Sequence, residues 1–337
     1  MKTPIDIEIP QKMPQHPWHP SVVYVPNGWN GHRFWMVQTP YPPFHVAPYK
    51  DRWELPCIHY SDDGLLWNSI EGNPIADLTK EQIATRSYFS DTHLLLRDNR
   101  LECFYRLVEE PTKHTIIYKK VSSDGVHWLD DGEWRIESGD VISPAFIWTG
   151  NEYWCWYVDD TFTNLKRRIR FTKSTDGIVW TQGAVCHLDR ENIWPWHIDV
   201  QHYDGMYQLL VFDVDHQLLA MFQSADGIRF VYKNELLRTS GRAFEFYNRS
   251  LYRACIVRVG EHNRVYFSAS NTRQSYIGVL KTSLDYQTIE MLNPLHGCKK
   301  IRFVMGIIGQ EIRYYAHAIR HGIAVKVKPL LGLKVRE

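Results

Sequence analysis

Apolar and polar positions alternate along most of this chain in short runs, and the runs recur in the same order five times. Period-two alternation rich in β-branched and aromatic residues is the pattern of half-buried strands. A first strand opens each unit, at His19–Val25, Asp91–Leu96, Ser143–Trp148, His197–Val200 and Tyr252–Val257. A polar turn follows, at Asn27-Gly28, Asp98-Asn99, Thr149-Gly150, Asp204-Gly205 and Glu261-His262-Asn263. An aromatic-rich second strand comes next, for example Tyr153–Val158 and Tyr207–Phe212. The third strand then runs into a repeated turn, S-x-D-G-x-x-(W/F), and a fourth leaves from its aromatic residue.

That turn occurs four times, beginning at Ser61, Ser122, Ser174 and Ser224 and ending at Trp67, Trp128, Trp180 and Phe230. A near-constant period of this size marks an array of supersecondary units. Asp-Gly between two extended runs predicts a tight hairpin of the primed type. The aromatic residue three places past Gly predicts a plate packed between neighbouring units. In the fifth unit, Ser283-Leu284-Asp285-Tyr286 stands where the turn belongs.

Four antiparallel strands repeated five times predict an all-β fold, a five-bladed β-propeller of four-stranded blades. The propeller is expected over residues 1–300, as one domain with units starting near 19, 91, 143, 197 and 252. Residues 301–337 are expected to form a C-terminal hairpin that closes or caps the ring. The alternation at Ile312–Ala316 and Ile323–Val327 around His321-Gly322 motivates that expectation.

Composition narrows the partners. The net charge of +1 gives no electrostatic reason to expect nucleic acid or an anionic membrane as the main partner. The one basic run in the repeats, Lys166–Arg170, reads as a solvated blade edge. Six dispersed cysteines without C-x-x-C spacing read as reduced core residues rather than zinc ligands. The N-terminus has no apolar h-region. The expected location is a cytoplasm, with release by lysis or carriage on a phage particle as the alternative.

In a propeller the first strands line the central channel. Their starts meet on one face with the loops joining second to third strands. That face collects Trp18 and His19 from unit one, Asp91 from unit two, Ser143 from unit three, Trp196, His197 and Asp199 from unit four, and Tyr252 and Arg253 from unit five. The loops add Tyr41, Trp53 and Glu54, then Arg106, then Asp159 and Asp160. Aromatic plates beside carboxylates suit a sugar ring, which needs an apolar face to stack on and acceptors for its hydroxyls.

The chain resembles the five-bladed propeller glycoside hydrolases, which include arabinanases, arabinofuranosidases and fructofuranosidases, and the related mannoside phosphorylases. The S-x-D-G-x-x-W turns carry the likeness, with Trp53-Glu54-Leu55-Pro56, Ser90-Asp91-Thr92-His93-Leu94 and Trp196-His197-Ile198-Asp199-Val200. The resemblance implies catalytic carboxylates around the channel, placing Asp91 as the second-blade acid and Glu54 as the blade-one loop Glu. It departs at His19-Pro20-Ser21, where the family places its first-blade Asp, and at Ser143, where an acid is common.

The reading that follows is a glycoside hydrolase acting on a bacterial poly- or oligosaccharide. Asp91 would be the fixed base or nucleophile, its amide variant costing turnover but little stability. Glu54 would be the loop-borne acid, and Asp199 completes the catalytic pool. His19, Trp18, Tyr41, Asp159, Trp196, His197, Tyr252 and Arg253 would bind substrate. No metal ligands and no cofactor are expected, beyond a channel-bound cation such as calcium. A non-catalytic glycan-binding propeller and a uronic-acid lyase using His, Tyr and Arg are the alternatives.

Overall fold

The computed structural model describes residues 1–320 except 12, 42–53, 111, 113, 137–139, 161–166 and 272–273. Five antiparallel sheets follow one another along the chain, each with its first strand innermost in sequence order. These inner strands are Pro17–Trp29, Tyr88–Arg97, Ile142–Trp148, Pro195–Tyr203 and Ser250–Val259. The five-bladed propeller expected from the repeat is the fold.

Blades one and four each gain an outer strand that pairs in parallel. Asp6–Ile7 joins Leu66–Ser69, and His187–Leu188 joins Arg229–Arg238. The first of these also closes the ring. The Ile5 N–H donates to the Ile277 carbonyl of blade five at 2.9 Å, and the Thr3 N–H to Asn293 Oδ1 at 3.0 Å. One short segment therefore bridges the seam between last and first blades.

Buried apolar side chains gather into five clusters, one at each blade–blade interface. Trp67 and Phe230 are buried there as expected, at 3% and 1% exposure. Trp128 and Trp180 are half-buried instead. Trp180 lies outside any strand, because blade three's fourth strand starts only at Ala184; its ring stacks on Trp134 of blade two at 4.8 Å.

The repeated turn is built by its own side chains. In blade one the Gly64 N–H donates to Ser61 Oγ at 2.9 Å, and the Leu65 and Leu66 N–H groups donate to Asp63 Oδ1. The same bonds recur at Ser122, Ser174 and Ser224. Only the glycine has positive φ, so the loop is not the primed two-residue turn expected from Asp-Gly. The Asp carboxylate supplies the turn instead, by accepting two successive N–H groups. In blade five Ser283 Oγ still donates to Asp285, and Tyr286 takes the glycine's place at φ 63°.

Turns with positive φ at both central residues lie between first and second strands in blades one, two and four. In blade one this turn is Asn30-Gly31, at φ 46° and 85°, not Asn27-Gly28. The strand runs on through Gly28 to Trp29 because its register shifts after Tyr24.

These glycines also seal the blade seams. The Gly64 carbonyl accepts from Tyr266 Oη of blade five at 3.0 Å, and the Gly227 carbonyl accepts from Trp156 Nε1 of blade three at 2.7 Å. A Cβ at Gly125 would lie 2.3 Å from the Trp35 ring of blade one, whereas one at Gly31, with similar φ, would meet nothing within 4 Å. Gly31→Ala should cost about 1–2 kcal/mol of left-handed backbone strain. Gly125→Ala should cost about 1–3 kcal/mol more, for overpacking. Equilibrium urea unfolding of both variants checks the difference.

The expected C-terminal hairpin is not there. Ile312–Ala316 lies within a helix, Gly297–Arg320, that packs on blade five through Phe303, Ile307 and Tyr315. Ile301, Met305, Ile308 and Ile312 recur at helical spacing, and this outweighs the short local alternation. The partner strand expected at Ile323–Val327 falls outside the described residues. No described helix is long and apolar enough to cross a membrane.

Candidate functional site

Each of the five inner strands breaks its register at the same place, just inside the channel mouth. The shifts fall between Trp18 and Ser21, Ser90 and Thr92, Ile142 and Ala145, Pro195 and His197, and Leu251 and Ala254. A bulge re-aims the side chain it carries. Here the bulged positions include His19, Asp91, Ser143, Trp196, Tyr252 and Arg253. Three of them adopt left-handed backbone that non-glycine residues rarely take: His19 at φ 49°, Asp91 at 44° and Ser143 at 53°. Glu54 joins them at φ 59°. Such strain persists only where the surroundings impose it, and it clusters at functional sites.

Asp91 is the centre of what results. It is fully buried, with Arg106 Nε 3.1 Å from Oδ2, Arg253 Nη1 3.4 Å from Oδ1 and His197 Nδ1 3.2 Å from Oδ1. Burial alone would raise its carboxyl pKa, but the Arg106 guanidinium, with His197 and His19, holds it well below the usual carboxylate range. Arg106 is held in turn by Asp140 at 3.0 Å, and Arg253 donates to the Pro144 carbonyl at 3.1 Å.

His19 lies between the two expected catalytic carboxylates. Its Nδ1 is 3.7 Å from Glu54 Oε2 and its Nε2 is 4.0 Å from Asp91 Oδ1. Thr39 Oγ1, 2.9 Å from Nδ1, fixes the ring. Burial keeps both histidines neutral, pushing His19 well below its ordinary value and His197 down to about 4. Burial pushes Glu54 the other way, up to about 8, against a hydrogen bond from Ser90 that favours the carboxylate.

The remaining expected residues divide into two groups. Trp18 stacks on Tyr252 at 4.9 Å, and Tyr252 Oη accepts from Trp196 Nε1 at 3.1 Å, so three half-buried rings make one wall beside the histidines. Tyr41 borders Glu54, whose charge together with burial raises the phenol's pKa. Asp199 and Asp159 lie apart from this cluster. Asp199 Oδ2 accepts the Ile256 N–H of blade five at 2.9 Å, and Oδ1 is 3.8 Å from His93 Nδ1, two residues further along the channel strands. It belongs to a belt of inter-blade bonds with Ser21 and His93. Asp159 is paired with Arg170 inside blade three. Trp53 lies outside the described residues.

Asp140 was not among the expected site residues. It lies just before the channel strand Ile142–Trp148, and a buried Arg106 calls for a second counter-charge.

Among the described residues, His19, Asp91 and His197 form a group able to hold a metal ion, each offering one atom within 4.8 Å of the others. Two neutral imidazoles and an ionised carboxylate are a common donor set for a divalent transition metal. His19 Nε2 and His197 Nε2 are buried without a hydrogen-bond partner, as is Glu54 Oε2, whereas Asp91 Oδ2 is paired with Arg106. Buried polar atoms of native proteins are rarely left so. The residues therefore fit a cation, although the sequence reading assigned no metal ligands.

No protein-family model matches the chain. A search of curated proteins finds the A type blood N-acetyl-α-D-galactosamine deacetylase of Flavonifractor plautii, 23% identical over 271 residues. The match covers 63% of this chain and 34% of that protein, so the chain spans about a third of its relative's length. Among solved structures, an N-acetylgalactosamine deacetylase from F. plautii, in complex with blood group B trisaccharide, superposes with a TM-score of 0.71 at 20% identity. That match covers 84% of this chain and 95% of the other. A GH43 β-xylosidase/α-arabinofuranosidase from a compost microbial metagenome, complexed with xylotriose, gives 0.60 at 11% identity, covering 88% and 99%. RS223 β-xylosidase gives 0.60 at 10%, covering 82% and 95%. The fold of this chain is thus the five-bladed β-propeller shared by family 43 glycoside hydrolases and a sugar deacetylase, all of them carbohydrate-active enzymes.

Proposed function

We propose that this carbohydrate-processing propeller is a metal-assisted hydrolase that removes the acetyl group of an N-acetylated amino sugar. The observation that carries the reading is the pair of buried, partnerless imidazole nitrogens, His19 Nε2 and His197 Nε2, within ligand distance of one another and of the Asp91 carboxylate, with Glu54 on the Nδ1 side of His19. The deacetylase relative supports the choice of bond and substrate class.

His19, Asp91 and His197 would hold the cation, and a bound divalent ion supplies Lewis acidity to a carbonyl oxygen and to water. Arg106 and Arg253 keep Asp91 ionised. Thr39 orients His19 through Nδ1, leaving Nε2 for the site. Glu54, beside His19, would take a proton from water and return it to the departing amine, as a general base and acid poised near neutrality does. The wall of Trp18, Tyr252 and Trp196 would stack the sugar and exclude water from one side.

Glycosidic cleavage by Asp91 and Glu54 is the second reading. The raised pKa of Glu54 favours it, since a glycosidase acid needs that property. The imidazole of His19 standing between the two carboxylates weighs against it, because they must flank the scissile bond.

Incubating the chain with N-acetylhexosamine oligosaccharides and measuring free acetate beside reducing ends separates the two. Acetate without new reducing ends is expected, abolished by a chelator and restored by manganese or zinc. New reducing ends without acetate would return the site to the glycosidase reading.

A further inference from the structure

The C-terminal helix carries two stripes on its free side. Ile301, Met305 and Ile312 are 64%, 63% and 57% exposed, and Ile308 lies on the same line. At 100° per residue these four fall within one narrow sector. Beside it run Arg302, Arg313 and Arg320, all exposed. Glu311, the helix's one acidic residue, is fully buried on the opposite side toward blade five.

Charge along the chain is partitioned in the same way. Residues 297–337 hold nine Lys and Arg against two Asp and Glu, a net of +7 in a chain whose total is +1. The preceding 296 residues therefore carry −6. A near-neutral total conceals a cationic C-terminal region attached to an acidic propeller.

We infer that this helix face docks on an anionic phospholipid membrane. An apolar stripe flanked by arginines is the arrangement of a helix lying in the plane of a bilayer interface, with aliphatic side chains among the acyl chains and guanidinium groups at the phosphates. Charge complementarity favours lipid over a second copy of the chain, because two copies would bring two cationic stripes together. The helix does not meet the requirements for crossing a membrane, so it lies on the surface rather than spanning it.

The docking would set the enzyme's orientation. Gln310 bonds Asn271 at 3.0 Å and also Gln274, which flank the turn between second and third strands of blade five, and Arg249 lies over Tyr314 at 5.3 Å. That turn is on the face where the His19–Asp91–His197 cluster opens. A membrane-bound helix holds the mouth of the channel beside the lipid surface, where glycans carried by lipids are presented.

The test uses the full chain labelled at Cys298, the one exposed cysteine beside five buried ones, with an environment-sensitive dye. It is mixed with vesicles of phosphatidylcholine alone or with added phosphatidylglycerol. Sedimentation with the anionic vesicles only, a blue-shifted dye, and weakening by high salt are expected. The combined Ile301→Glu, Met305→Glu and Ile312→Glu variant should lose about tenfold or more of the partitioning, with an unchanged melting temperature. Absence of binding to anionic vesicles would overturn the proposal, as would equal binding by the variant. So would a dimer in analytical ultracentrifugation that the same substitutions disperse.

Discussion

Asp91→Asn is expected to destabilise the chain by on the order of 3–5 kcal/mol and to leave no turnover in the molecules that remain folded. Read from the sequence as a strand-start carboxylate, Asp91 would tolerate its amide. The structure changes that expectation, because Arg106 and Arg253 both lie against it in the interior. Removing the anion leaves two guanidinium groups without their shared counter-charge, and Asp140 answers only one of them.

A second substitution separates architecture from chemistry. Adding Arg253→Met to Asp91→Asn removes one of the stranded cations and should recover part of the lost stability. It should recover no activity. Chemical denaturation of the four members of this cycle, with deacetylation rates per folded molecule, measures both. Recovery of activity along with stability would assign Asp91 a purely structural role.

Glu54→Gln should behave in the opposite way, losing about 10²–10⁴-fold in turnover while the metal-free fold becomes more stable at alkaline pH. Glu54 has its carboxyl pushed from 4.5 up to about 8. Between those values the folded chain binds a proton that the unfolded chain has released. Its contribution to stability is therefore complete below about pH 4.5 and falls away as pH rises toward 8. The full swing is on the order of 3–5 kcal/mol. The Gln variant keeps a neutral side chain throughout and lacks this slope. Comparing unfolding free energies of parent and variant from pH 5 to about 9 in chelator isolates Glu54 from the other titrating groups. Superimposable profiles would show that Glu54 is not the buried proton carrier.

What the sequence revealed depended on how far each signal reached. The S-x-D-G turns were legible because Ser61, Asp63 and Gly64 make their bonds within four residues, without help from the rest of the fold. The gathering of His19, Asp91, His197 and Arg253 was also legible, since equivalent starts of repeated strands must meet at one mouth. Depth was not. Asp199 lies two residues beyond His197 on the same strand, and only the three-dimensional arrangement sets one against Asp91 and the other in the inter-blade belt. The bond between Arg106 and Asp91 depends on the register that sets Ser90 opposite Arg106, which alternation alone does not specify. The C-terminal helix is hidden for a different reason. Five residues at Ile312–Ala316 alternate like a strand, whereas the helical spacing that overrides them reaches back to Ile301.

The bulge at the mouth of every inner strand has a consequence for how such a ring can change over time. The repeated blade offers five matching pedestals, but their occupants are tied to one another: Ser143 Oγ donates to the Ile198 carbonyl of blade four at 3.1 Å, and Arg253 donates to the Pro144 carbonyl of blade three at 3.1 Å. A His, an Asp, a Ser, a second His and an Arg stand among those positions here. Replacing one occupant alters the chemistry at the axis and leaves the seams of Gly64, Gly125 and Gly227 untouched. New reactivity at such an axis therefore calls for paired exchanges, as the coupling of Asp91 to Arg106 and Arg253 shows.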